Sequence, residues 1–166
     1  MRHRTEGYGL KEHASVDVKS GLVLATTMTP ASVHDTNYLP YLTLASCHTE
    51  EPVKKVYADK GYYGEPNRSF LHLNEIEDGI MRKDTRGAKI TKVEIKRNNK
   101  ISKKRYIRFQ PIGLTGRRVE QYFGLSHLYH GAYRARFTVM MKNIWDAMCR
   151  QMAFNLFRGS KLLVET

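Results

Sequence analysis

Between Arg82 and Arg108 the chain carries twelve Lys or Arg residues and two acids, Asp84 and Glu94. That is a net +10 of the chain's +12, which leaves +2 for the other 139 residues. A run of that density cannot be buried, so it divides the pattern around it: strand and helix signals alternate before it, and the chain after it reads as helical. The expectation is one domain, residues 1–166, a nearly neutral α/β core with a basic insertion at about 82–108. By itself the run fits a solvated loop or hairpin. Tyr106 and Phe109, interleaved with Lys103, Lys104, Arg105 and Arg108, favour a nucleic-acid surface, with cations on phosphates and rings against sugar or base.

At 166 residues, 41% hydrophobic and 10% aromatic, the chain is long and apolar enough to bury a core. Tyr8 to Val18 alternates, placing Ala14, Val16 and Val18 opposite His13, Ser15 and Asp17. Lys19, Ser20 and Gly21 supply a turn, and Leu22 to Met28 completes a hairpin. Pro30 ends the strand, and His34 or Asp35 caps a helix expected to turn Tyr38, Leu39, Leu42 and Leu44 inward. VKKVYA (53–58) reads as a third strand, DKGYYG as a glycine turn, Pro66 to about Asn74 as a helix, and Ile80 and Met81 as a short strand. Strand, turn, helix and strand in this order point to an α/β layer. After the basic block, Val119 to Leu128 reads as helix. A long amphipathic helix follows, with Phe137, Met140, Met141, Ile144, Trp145, Met148, Met152 and Leu156 at steps of three and four, expected to be its core face.

Several classes fall away. Cys47 and Cys149 are too far apart and too isolated for a zinc site; they are expected as buried thiols in a reducing cytoplasm. MRHRTEGYGL lacks the apolar stretch of a secretory signal. The longest apolar stretch, 137–157, is interrupted by Lys142, Asp146 and Arg150, which excludes an ordinary membrane span. His48, His72 and His130 have no metal-like spacing, and His13 and His34 are expected to be structural.

Among possible chemical groups, Asp59 is the best placed. A carboxylate at the carboxyl end of a strand, followed by a glycine turn, projects where α/β folds bind ligands. Glu120, within GRRVEQYFG, is the second candidate, on a predicted helix beside Arg117 and Arg118. On the residues alone, a turn aspartate and a salt-bridged helix glutamate are equally good readings.

The segments YGLKEHASVDVKSGLV, TPASVHDTNYL, VYADKGYYG and RRVEQYFG, in this order, resemble the catalytic-domain core of bacterial insertion-sequence transposases of the DDE type, over about residues 7–157. The resemblance implies a ribonuclease-H-like mixed sheet with flanking helices, and three acids holding two Mg²⁺ (or Mn²⁺) ions. It assigns the second acid, of the A-D-x-G-Y motif, to Asp59 and the third, of V-E-x-x-F, to Glu120. Hard cations take carboxylate oxygens, and a metal pair activates a hydroxyl while stabilising the leaving oxygen of phosphoryl transfer.

The chain departs from that pattern twice. The family's first Asp lies on a strand upstream of the hairpin, and no residue here matches it; Asp17 matches a hairpin position. The sheet is therefore expected to be incomplete and prone to association through its unpaired edge. Around Glu120, Gly113, Gly116 and His127 stand where related transposases carry Tyr, Arg and Lys. Arg117 lies one residue from the expected arginine, and His127 is a weaker phosphate partner than Lys because it is largely neutral at pH 7.

Three functions follow as expectations. The first is the C-terminal part of a DDE transposase that cuts and joins DNA at insertion-sequence ends, truncated or split. It would act on double-stranded DNA and need an upstream transposase fragment or a second copy. The second is a noncatalytic basic DNA-binding remnant associated with a full-length transposase. The third, an RNA-associated protein, rests on charge alone. Lys103, Lys104, Arg105, Arg108, Arg117, Arg118 and His127 are the expected DNA contacts, and no membrane partner is expected.

Overall fold

A computed structural model of the chain describes residues 9–47, 52–107 and 118–164, with 103–107 and 118 followed as backbone. The elements run β1 (Leu10–Val16), β2 (Val23–Pro30), a 3-10 turn (Asp35–Tyr38), α1 (Leu39–Ser46), β3 (Lys55–Ala58), a 3-10 turn (Lys60–Tyr62), α2 (Glu65–Leu73), β4 (Glu77–Ile80), α3 (Lys92–Ile107), α4 (Arg118–His130) and α5 (Met140–Val164). Among the described residues the strands form two two-stranded sheets, β1 antiparallel to β2 and β3 parallel to β4. The chain is thus a mixed α/β protein that divides into two compact units. One unit contains β1, β2 and, from Gln121 on, α4 and α5; the other contains α1 to α3 with β3 and β4.

In the first unit the hairpin turn is built by Asp17. Its Oδ2 accepts from the backbone N–H and the hydroxyl of Ser20, both at 2.6 Å, and Gly21 takes φ 78°, which favours glycine. His13 is buried on β1, its Nε2 2.9 Å from Thr29 Oγ1 on β2, in the strand-packing role expected of it. The core gathers Val23, Tyr122 and Phe154, with Ala14, Val16, Phe123 and Leu125 packed around them.

Helix α5 is long, as its periodicity predicts, but it turns the other way. Its buried residues are Asn143, Ala147, Arg150 and Phe154. Along the expected core face, Phe137, Met141, Met148 and Leu156 are exposed, and Trp145 and Met152 are 62% and 56% exposed. Besides the core that Val23 shares with Phe154, the hairpin presents polar backbone to this helix. Asn155 accepts from the Val23 N–H and donates to the Val23 carbonyl, both at 2.8 Å, as a neighbouring strand would. Gln151 donates to the same carbonyl and accepts from Thr26 Oγ1, and Arg158 Nε donates to the Ser20 carbonyl at 3.0 Å. Deeper in, Arg150 pairs with Asp146 and, at 2.7 Å, with Glu12, whose other oxygen accepts from the Tyr122 hydroxyl at 2.5 Å. Burial works against the Arg150 charge, but Glu12 and Asp146 outweigh it and raise its pKa. Burial first, and Glu12 beside it, keeps the Tyr122 phenol protonated well above the usual range.

In the second unit the crossover β3–α2–β4 covers one side of the parallel pair. Leu39, Leu71, Ile76 and Ile80 form the core, with Val56, Ala58, Tyr62, Tyr63 and Phe70 against it. Gly79 is required by close approach: a Cβ there would lie 2.5 Å from the Val56 carbonyl oxygen and 2.9 Å from the Tyr57 ring. On α1, Leu39 and Leu42 face inward as expected, whereas Leu44 is 55% exposed, because the buried set Leu39, Leu42, Thr43 and Ser46 lies on the opposite side. Cys47 and Cys149 are exposed rather than buried, one capping α1 and the other on the outward side of α5. No helix among the described residues is long and apolar enough to cross a membrane.

Asn155→Ala leaves the Val23 N–H buried without its partner, and is expected to cost about 2–3 kcal/mol in chemical denaturation. Trp145→Ser and Met152→Ser, at the exposed stripe, are expected to change stability by less than about 0.5 kcal/mol; the opposite ranking would restore the apolar face as the packed one. Burial pushes the Asp17 carboxyl up, but the Ser20 hydrogen bonds outweigh it and hold it below its ordinary value. A depressed folded-state pKa stabilises above the unfolded value, so this contribution is present above about pH 4 and is lost on acidification. Asp17→Asn should flatten that part of the acid limb of the stability profile.

Candidate functional site

Parallel pairing of β3 with β4 brings the carboxyl ends of both strands to one edge, and Asp59 is the first residue beyond β3. It is exposed, and it caps the turn that follows: its Oδ1 accepts from the Lys60 N–H at 2.8 Å, and its carbonyl accepts from the Tyr62 N–H at 3.0 Å. Asp59 is thus a turn carboxylate placed at the carboxyl end of a strand.

The second carboxylate at this turn is Asp35. It opens the 3-10 turn Asp35–Tyr38, and a Cβ on Gly61 would stand 3.8 Å from its Oδ2. Tyr62 is half-buried there. Burial first, then the charges of Asp35 and Asp59, push its phenol up to about 12. Two acids from separate turns thus act on one phenol.

Glu120 is the third residue of α4 and is exposed. Among the described residues no three His, Cys, Asp or Glu side chains come together as a metal-binding group. His127 lies exposed in the last turn of α4. Lys103, Lys104 and Arg105 fall on the backbone of α3 and Arg118 opens α4, while Arg108 and Arg117 lie outside the described residues.

The basic block is not a loop or hairpin throughout: residues 92–107 form a helix. Thr91 Oγ1 accepts from the Glu94 N–H at 3.2 Å, and Glu94 Oε2 accepts from the Thr91 N–H at 2.9 Å, which closes a capping box. The hydrogen bonds that the Thr91 N–H and then its hydroxyl donate to Glu94 Oε2 lower the Glu94 pKa. The helix is held to β4 and the segment after it by its own polar residues. Arg97 donates to the Ile80 and Asp78 carbonyls at 2.8 and 2.7 Å, and lies 3.3 Å from the Asp78 carboxylate. Asn98 accepts from the Arg82 N–H and donates to the Arg82 carbonyl, at 2.8 and 2.9 Å, while Glu94 pairs with the Arg82 guanidinium at 3.2 Å.

Sequence reading did not single out Tyr62, Glu12 or Arg150, and took Asp35 only as a helix cap. The T-x-x-E pattern at 91–94 was a legible helix start. Nothing local marks Asp35 as a neighbour of the Asp59 turn, since the fold supplies that proximity.

The raised Tyr62 pKa is testable by difference titration of the native chain against Tyr62→Phe. Tyr62 should contribute only about a tenth of its full phenolate absorbance at about pH 11, where an ordinary tyrosine is mostly ionised. Asp59→Asn or Asp35→Asn should lower its midpoint; an ordinary midpoint in the native chain would show that the two carboxylates do not act on it. Because the folded-state pKa is raised, the associated stability is present below about pH 10 and lost as pH climbs toward the folded value.

A family model described as "Transposase DDE domain" matches residues 2–112, a span that contains Asp35, Asp59 and Tyr62 and stops short of Glu120. The transposase for insertion sequence element IS1106 of Neisseria meningitidis serogroup B is 33% identical over 158 residues, covering 93% of this chain and 48% of that protein. The chain thus spans about half the length of this curated relative. No solved structure matches it. With most of its length matched by the family model and an insertion-sequence transposase aligned along nearly all of it, this chain belongs to the DDE transposase family.

Proposed function

We propose that this chain is the C-terminal part of a ribonuclease-H-like transposase catalytic domain, which contributes DNA contacts and two acids, Asp59 and Glu120, to DNA cleavage and strand transfer at insertion-sequence ends. The observation that carries this reading is Asp59 at the carboxyl edge of the parallel β3–β4 pair, in the A-D-x-G-Y context of the family. Exposed carboxylates are suitable donors for Mg²⁺ or Mn²⁺. The described residues do not, however, assemble three acids, and a two-ion clamp does not fit what they provide. No catalytic step is therefore assigned to the isolated chain. Its partners in this reading are double-stranded DNA and either an upstream transposase fragment or a second copy, in a cytoplasmic setting.

The second reading, a noncatalytic DNA-binding remnant that associates with a full-length transposase, rests on the basic charge of residues 82–108. The two separate on mixing the chain with a fragment corresponding to the upstream half of a related transposase. In the first reading the mixture joins a 3′-hydroxyl end to target DNA with Mg²⁺, and Asp59→Ala or Glu120→Ala lowers joining by at least about 100-fold, as expected when transition-state charge stabilisation is lost. Salt-dependent duplex binding by the chain persists in both variants. Joining by the pure chain alone would overturn the incomplete-site reading; binding without joining in the mixture would favour the remnant.

A further inference from the structure

We infer that the outward face of α3, marked by Lys92, Lys96 and Lys100, is a phosphate-tracking surface for duplex DNA, separate from the carboxylate turn. The inference rests on the DNA-directed reading above and adds a surface to it.

The way α3 is fastened sorts its charges. Glu94, Arg97, Asn98 and Ile101 face inward: the first three bind the chain from Asp78 to Arg82, and Ile101 is 7% exposed. Arg82 and Arg97 are thus engaged with protein carbonyls and carboxylates, and their charge is largely spent within the unit. Lys92, Lys96 and Lys100 are exposed and make no ion pair among the described residues. Their i, i+4, i+8 spacing sets the three ammonium groups in one row at intervals of about 6 Å.

The fastening matters because a row of lysines on a mobile segment would pay to be ordered when it binds. Here the capping box and the Arg97 and Asn98 contacts have already fixed the helix. Duplex DNA offers a negative charge every 3.4 Å or so along each strand, so such a row supplies a cation for about every second phosphate without a base-specific contact. Lysine serves as a point charge toward phosphate, so the surface is expected to be indifferent to sequence. Val93 and Ile95 are the exposed apolar side chains on the described part of α3, too few for a helix lying in a lipid interface.

The test uses the full chain. Lys92→Gln, Lys96→Gln and Lys100→Gln together should weaken binding to a duplex of arbitrary sequence, and should reduce the slope of log affinity against log salt by about 2–3, close to one per phosphate contact removed. The corresponding triple Lys→Arg variant should bind like the native chain. A control that neutralises Lys54, Lys142 and Lys161, exposed elsewhere, should keep the native slope. Equal losses in the control would show that net charge, not this face, holds DNA. An unchanged slope in the first triple variant, with native binding intact, would overturn the inference alone. A native chain that binds no duplex would overturn the DNA reading with it, and a preference for single-stranded RNA over duplex would overturn the assignment of partner.

Discussion

In each unit of this protein a helix is docked by a side-chain amide that pairs with both backbone groups of a single residue. Asn155 makes two hydrogen bonds to the backbone of Val23, and Asn98 makes two to the backbone of Arg82, in each case accepting from the N–H and donating to the carbonyl. Two-stranded sheets are marginal in water, because each strand leaves one side of its backbone unpaired. A carboxamide has the same donor and acceptor pair as a peptide group and can satisfy both backbone groups of one residue. The helices bearing these amides are therefore docked to strand edges or extended backbone through polar faces.

That constraint explains the reversal in α5. Binary patterning assigns the Met and aromatic side to the core and the Asn, Gln and Arg side to water. The rule assumes that what lies opposite is apolar. Apart from the core that Val23 shares with Phe154, the hairpin offers Val23 backbone, the Ser20 carbonyl and the Glu12 carboxylate, and the polar side of α5 matches them. Arg150 and Glu12 are then nearly buried, at 7% and 9% side-chain exposure, and are tolerated because Asp146 and the Tyr122 hydroxyl share the site. The same polar docking leaves a row of large apolar side chains on the other side of the helix.

The carboxylate turn and the basic helix occupy the same unit but are built by different means. The turn depends on topology: a parallel pair aligns its carboxyl ends, Asp59 caps the exit, and Asp35 arrives from an earlier turn. The helix depends on capping and fastening, in which Thr91, Glu94, Arg97 and Asn98 each satisfy a backbone or charged group. A charge run that composition treats as uniform thus separates into residues that hold the helix in place and residues that face outward.

Much of the local structure was legible in the residues themselves. Period-two alternation and the Lys19-Ser20-Gly21 turn indicated the hairpin, glycines 61 and 64 and Pro66 marked the turn into α2, and four ordered motifs identified the family. Asp59 was legible because a strand end followed by glycine is a local pattern. The orientation of α5, the exposure of Leu44, Cys47 and Cys149, and the approach of Asp35 to the Asp59 turn were decided by tertiary structure. Each depends on what a distant segment presents at the contact, and sequence periodicity records the period of a face but not the chemistry of the surface that meets it.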